Sequence, residues 1–166
     1  MSRIDKPAVL DADGLNAFED HSDMLADKPV PLVITPHAGE FERLTGNTVP
    51  TEIHARIKTA REMARLLKLT LVLKGSPTIV AGPDGQTYLN PTGNSGMATA
   101  GSGDVLSGII GSLLAQGMSG LDAAVCGVFM HGMAGDLAAQ ELGERGMIAG
   151  DMVRFLPQAL ESFPHR

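Results

Sequence analysis

Several short stretches of this chain combine chemically capable side chains with backbone that can come close to a ligand. In GSGD, residues 101–104, the carboxylate of Asp104 follows two glycines and precedes the apolar run that begins at Val105. A helix opening here leaves its first N–H groups without internal partners and presents the positive end of its dipole, which favours an anion. Gly101 and Gly103 permit close backbone approach to a phosphate, and Ala98, Thr99 and Ala100 leave that approach uncrowded. Asp104 then has two readings: an N-cap, or a group that moves a proton beside phosphate-binding amides. A Walker loop is excluded, since no Lys-Ser or Lys-Thr pair follows the last glycine.

Lys74 closes the apolar run TLVL and is followed by the turn formers GSPT, residues 75–78. Such a lysine either snorkels to solvent or points into a crevice, where its ammonium is a point charge for phosphate. His37, in TPHAGE, stands just after a segment stopped by Pro36 and three residues before Glu40. It is either a surface residue or a contact for substrate. His131, inside VFMHGMAG, is expected to be a buried helical histidine with a backbone partner and no role, while His21, His54 and His165 are expected to face solvent. Cys126 lies in AAVCGVFM and reads as a small core residue rather than a nucleophile.

These groups need elements to hold them. PAVLDAD (7–13), PLVITP (31–36) and TLVLKG (70–75) read as short buried strands, and residues 51–69 as a helix with Thr51 as its N-cap. TIVAGPDGQTYLN (78–90) reads as a hairpin around PDG. Helices are expected over 104–116, over 121–142 and in a last short segment within 147–162. Gly127, Gly132 and Gly135 predict close helix–helix or helix–sheet approach. Strands alternating with amphipathic helices predict an α/β sandwich with a mainly parallel sheet. The crevice of such a sheet lies beyond the carboxyl ends of its strands, where Asp11 and Asp13, Thr35 to Glu40 and Lys74 to Thr78 fall.

The chain has 166 residues, 43% hydrophobic and 19% charged, enough for one domain with a buried core. Its net charge of -6, without a Lys/Arg cluster, argues against a nucleic-acid partner. The charged start MSRIDKP lacks an apolar signal region, and no apolar run approaches the ~20 residues of a membrane span. A cytoplasmic protein without membrane partners is expected.

The ordered set VLDADGLN (9–16), TPHAGEFERLTG (35–46), VLKGSPTIV (72–80), NSGMATAGSGDVLSGIIGSLLAQG (94–117) and ERGMIAGDMVRFLPQAL (144–160) resembles the ADP/ATP-dependent NAD(P)H-hydrate dehydratases of the ribokinase-like superfamily. The resemblance implies one domain over 1–166, a three-layer α/β/α sandwich truncated at its amino end. It implies ADP-dependent dehydration of the NADH or NADPH hydrate, with ADP or ATP and Mg2+ as cofactors. Lys74, Gly75, Ser76, Pro77, Thr78, Gly101 and Gly103 would hold the adenine nucleotide. His37 and Asp104 would contact the hydrate, Asp104 as the catalytic group. Glu40 would be the residue associated with the metal. Alternatives are a vitamin-precursor kinase of the same superfamily, or a nucleotide-binding fragment without turnover. Family domains carry an amino-terminal portion before DADGLN, so these elements are expected to be lost, to be supplied by another polypeptide or to belong to a longer product, and the faces they would cover invite self-association.

Overall fold

Apolar triplets that alternate their side chains between two helical layers set the architecture. The computed structural model describes residues 4–162. Its strands are β1 (Ala8–Leu10), β2 (Leu32–Ile34), β3 (Thr70–Leu73), β4 (Ile79–Ala81) and β5 (Thr87–Leu89), adjacent in that order in one sheet. The β1–β2 and β2–β3 pairs are parallel, and β3–β4 and β4–β5 antiparallel. Among the described residues, therefore, β4 runs against the other strands and the mainly parallel sheet is found. PDG makes the expected hairpin, with Asp84 Oδ1 accepting from Gln86 N at 2.9 Å.

Strand residues two apart share a face. Leu32, Ile34, Leu71, Leu73, Ile79 and Ala81 pack with α2 (Ala38–Thr45) and α3 (Ile53–Leu67), whereas Val33, Val72 and Val80 pack with α4 (Ser102–Ala115) and α5 (Gly120–Leu142). These are the three layers. α6 (Ala149–Glu161) adds a second apolar cluster with α5, through Ala134, Ala138, Met152 and Phe155. The short α1 (Asp13–Asn16) follows β1.

Three local expectations are corrected. The N-cap of α3 is Glu52 rather than Thr51: its carboxylate accepts from His54 N at 2.9 Å and Ala55 N at 2.7 Å. An anion at the positive helix end does there what a hydroxyl would do less strongly. α4 begins at Ser102 instead of Asp104, because Gly101 takes the left-handed conformation (φ 86°) and serves as N-cap. The N-cap reading of Asp104 is thereby removed, and the residue sits in the first turn. Finally, Gly127 does let α5 approach α4, where an added Cβ would lie 2.6 Å from Ile110 Cγ1, but Gly132 and Gly135 face the β5–α4 connection. A Cβ on Gly132 would lie 2.2 Å from Thr92 Oγ1, and one on Gly135 2.3 Å from Met97 Sδ.

Candidate functional site

Main-chain bonds continue the parallel ladder past the strands. Thr35 N donates to Leu10 O at 3.1 Å and Lys74 N to Pro36 O at 2.9 Å. That register sets Asp11, Thr35 and Lys74 side by side at the carboxyl edge of the sheet. Lys74 Nζ lies 2.8 Å from Asp11 Oδ1 and 3.4 Å from Glu40 Oε2. The lysine thus points into the crevice, not to bulk solvent. Ser107 Oγ, from α4, donates to Asp11 Oδ2 at 3.0 Å. Gly103 completes the meeting point: a Cβ there would lie 3.3 Å from Asp11 Oδ2 and 3.5 Å from Lys74 Nζ.

Burial pushes the Asp11 carboxyl up, but the Lys74 ammonium and hydrogen bonds from Ser107 and Thr35 outweigh it and hold the group below its ordinary range. Asp11 is therefore ionised at neutral pH, and two carboxylates share the single Lys74 charge.

His37 and Glu40 are joined by a reciprocal cap at the start of α2, a helix absent from the sequence-based expectation. Glu40 Oε2 accepts from His37 N at 2.8 Å, and His37 Nδ1 accepts from Gly39 N at 3.0 Å and Glu40 N at 3.3 Å. An accepting Nδ1 carries no proton, so the neutral ring is protonated at Nε2. The Glu40 side chain is 8% exposed and the His37 side chain 54%. His37 offers its ring to the crevice rim while Glu40 stays beneath it.

The remaining predicted residues are more dispersed. Asp104 is exposed in the first turn of α4, next to Gly103. Gly101 faces α6, where its added Cβ would be 3.2 Å from Ala149 Cβ. Gly75, Ser76, Pro77 and Thr78 form a turn with a cis Ser76–Pro77 peptide and a Thr78 Oγ to Gly75 O bond of 2.9 Å. Arg56 covers that turn, donating to Ser76 O at 3.4 Å and Pro77 O at 3.3 Å. Asp11, Ser107 and Arg56 received no individual role from sequence. Ser107 was within reach, since it is four residues from Gly103 on the same helical face.

His131 is buried as expected, but its partners include the Ser102 hydroxyl, 3.4 Å from Nε2. His21 and His54 are exposed, and His165 lies outside the described residues. Cys126 is half-buried, its thiol pushed up by burial and by Asp122, which leaves it a poor nucleophile. The described residues contain no group of three or more His, Cys, Asp or Glu arranged to hold a metal by themselves, and no helix long and apolar enough to cross a membrane.

A cleft of about 470 Å³ opens at the opposite end of the sheet, between Thr70, Tyr88 and Ser119. Its charges are locally engaged, Lys68 by Asp27, Asp84 by Gln86 and Asp122 by Ser119. The convergent carboxylates and ammonium lie at the other edge.

Residues 1–158 match the pattern of the NAD(P)H-hydrate dehydratases. The chain belongs to that family. It is 49% identical over 162 residues to a bifunctional NAD(P)H-hydrate repair enzyme of Moorella thermoacetica, covering 98% of this chain and 31% of that protein. Against an ADP-dependent (S)-NAD(P)H-hydrate dehydratase of Neisseria meningitidis it is 46% identical over 151 residues, 89% of this chain and 51% of the other. The chain therefore spans about half, or less, of these relatives. Among solved structures, the ADP/ATP-dependent NAD(P)H-hydrate dehydratase of Bacillus subtilis, co-crystallised with ATP and Mg2+ and soaked with CoA, superposes with a TM-score of 0.82 at 34% identity, covering 96% of this chain and 57% of that one. A ribokinase-like superfamily protein of Enterococcus faecalis gives 0.70 at 25% identity, with 96% and 54% covered. The ribokinase-like fold expected from sequence is thus the fold present.

Proposed function

We propose that this chain takes part in nicotinamide nucleotide repair as an ADP-dependent dehydratase of the NADH or NADPH hydrate. The observation that carries the reading is the meeting of Lys74 with Gly103 at the mouth of α4. It brings a phosphate-compatible ammonium against a helix start, whose first amide, Ser102 N, already donates to Thr99 O at 3.3 Å.

In this reading the amides of 101–104 receive the terminal phosphate of the nucleotide, and the Lys74–Thr78 turn lies along its remainder. Asp104 takes the proton from the hydrate hydroxyl as that oxygen attacks the terminal phosphorus, and AMP leaves. The hydroxyl has become a phosphate ester. Cleavage of its C–O bond, with loss of a proton from the neighbouring ring carbon, releases inorganic phosphate and restores the dihydronicotinamide. Poor hydroxide departure is thereby replaced by good phosphate departure. His37, whose Nε2 lies 3.4 Å from Glu40 Oε1, would contact the hydrate from the rim.

Electrostatics argue for a divalent cation with the nucleotide. Asp11 and Glu40 already balance Lys74 with a carboxylate to spare, so diphosphate enters a site of net negative charge. Glu40, with Asp11 across Lys74, offers the oxygen donors that Mg2+ takes, the rest coming from phosphate and water. These two carboxylates do not form a metal site by themselves, so the ion would come with the nucleotide's phosphates. When bound, it would neutralise charge on the phosphate oxygens.

The test is recovery of dihydronicotinamide absorbance from the hydrate with ADP and Mg2+, with AMP measured as co-product. Asp104→Asn should abolish recovery while leaving ADP affinity within about threefold, as expected when only transition-state stabilisation is lost. An unchanged rate in that variant removes Asp104 from the chemistry. ADP binding without recovery in the parent chain supports only a nucleotide-binding role.

A further inference from the structure

We propose that His131 is a positioning residue for the phosphate-receiving turn, holding the Gly101–Asp104 amides in line through the Ser102 side chain. The inference rests on the site reading above. Ser102 is the first residue of α4, and its neighbours on both sides are glycines, Gly101 in the left-handed conformation. Gly-Ser-Gly backbone has wide freedom, so its one side chain is the available handle for fixing it. That handle reaches into a wall built by α5 and α6. Ser102 Oγ lies 3.4 Å from His131 Nε2 and 3.8 Å from Met152 Sδ. Met152 is fully buried and His131 is 8% exposed.

The chemistry of the wall singles out the histidine. The buried residues that α5 and α6 share, Ala134, Ala138, Met152 and Phe155, are apolar, and the Arg154–Glu141 ion pair between the two helices is exposed. A leucine in place of His131 would avoid the desolvation that an imidazole suffers there. The polar group stands where its contact is the first residue of the helix that would receive phosphate. Burial keeps the ring neutral at neutral pH, so it acts by hydrogen bonding and not as a charge for the ligand.

The test compares His131→Leu, His131→Gln, Ser102→Ala and the Leu/Ala double variant by ADP calorimetry, thermal unfolding and the amide shifts of residues 101–104. His131→Leu should weaken ADP binding about tenfold, as loss of about 1.4 kcal/mol implies, without a lower melting temperature. Gln, whose amide can stand where Nε2 does, should restore affinity to within about threefold. Ser102→Ala should lose part of what His131→Leu loses, since the His131 contact to the Ser102 backbone remains, and the double variant should lose no more than His131→Leu. Parental ADP affinity in His131→Leu, or a loss that Gln does not repair, overturns the proposal. If the parent chain takes up no ADP, the site reading fails. The latch is then decided by the unliganded amide shifts, which move in Leu and return in Gln if it holds, and stay unchanged in both if it does not.

Discussion

Acidifying this protein should remove stability through His131 before Asp11 contributes. Burial lowers the His131 pKa from 6.5 to about 4, with contact to the Ser102 backbone pulling weakly the other way. The unfolded chain takes up the imidazole proton near 6.5 while the folded chain refuses it until about 4. Between those values the unfolded state holds more protons, so stability is full above the upper one and declines as the pH falls towards the lower. The difference corresponds to about 3 kcal/mol, at about 1.4 kcal/mol per unit of pKa. Against a domain stability of about 5–15 kcal/mol this is a large share. Asp11 does not confound the window. Its pKa is held below the ordinary 3.8, so its stabilisation persists above that value and is lost only at lower pH. Urea unfolding of the parent and of His131→Gln, at about pH 7 and about pH 4.5, reads the effect as a difference of differences. The parent should lose about 2–3 kcal/mol more than the variant, on the same linkage. Equal losses would show that His131 is freely protonated in the folded state, and the burial argument would fall.

Lys74→Ala should weaken ADP binding and also lower stability by about 1–3 kcal/mol, because Asp11 and Glu40 lose their shared counter-charge. Calorimetry and urea unfolding check the pair, and unchanged stability would mean that the ion pairs are unimportant in solution. Gly132→Ala should cost about 1–3 kcal/mol, as overpacking does. Its Cβ would lie 2.2 Å from Thr92 Oγ1 and 2.8 Å from the Thr92 carbonyl carbon, where backbone must move. A melting temperature equal to the parent's would refute that close approach.

The site was legible where chemistry followed a strand end. Lys74 after TLVL and Glu40 after Pro36 point to one crevice because parallel strands deliver their carboxyl ends to one edge. No helix is read directly after Pro36, since AGEFERLT gives only a short apolar pattern and the cap that starts α2 is a histidine, an uncommon capping residue. The start of α4 was placed late for a related reason. Glycine tolerates the left-handed conformation that opens the helix, yet it gives no periodic signal.

What the sequence determined by itself was local: which segments are strands or helices, where the chain turns, and which groups stand at strand ends. Periodicity and turn chemistry act over a few residues and are written in adjacent letters. Tertiary structure alone decided that Asp11, 63 positions from Lys74, is its closest ion partner, that Ser107 holds the other Asp11 oxygen, and that His131 meets Ser102. Those pairings depend on sheet register and on how closely α5 lies against α4 and the β5–α4 connection. Side-chain volumes at Gly127 and Gly132 set that distance, and no short window of sequence contains both sides of it.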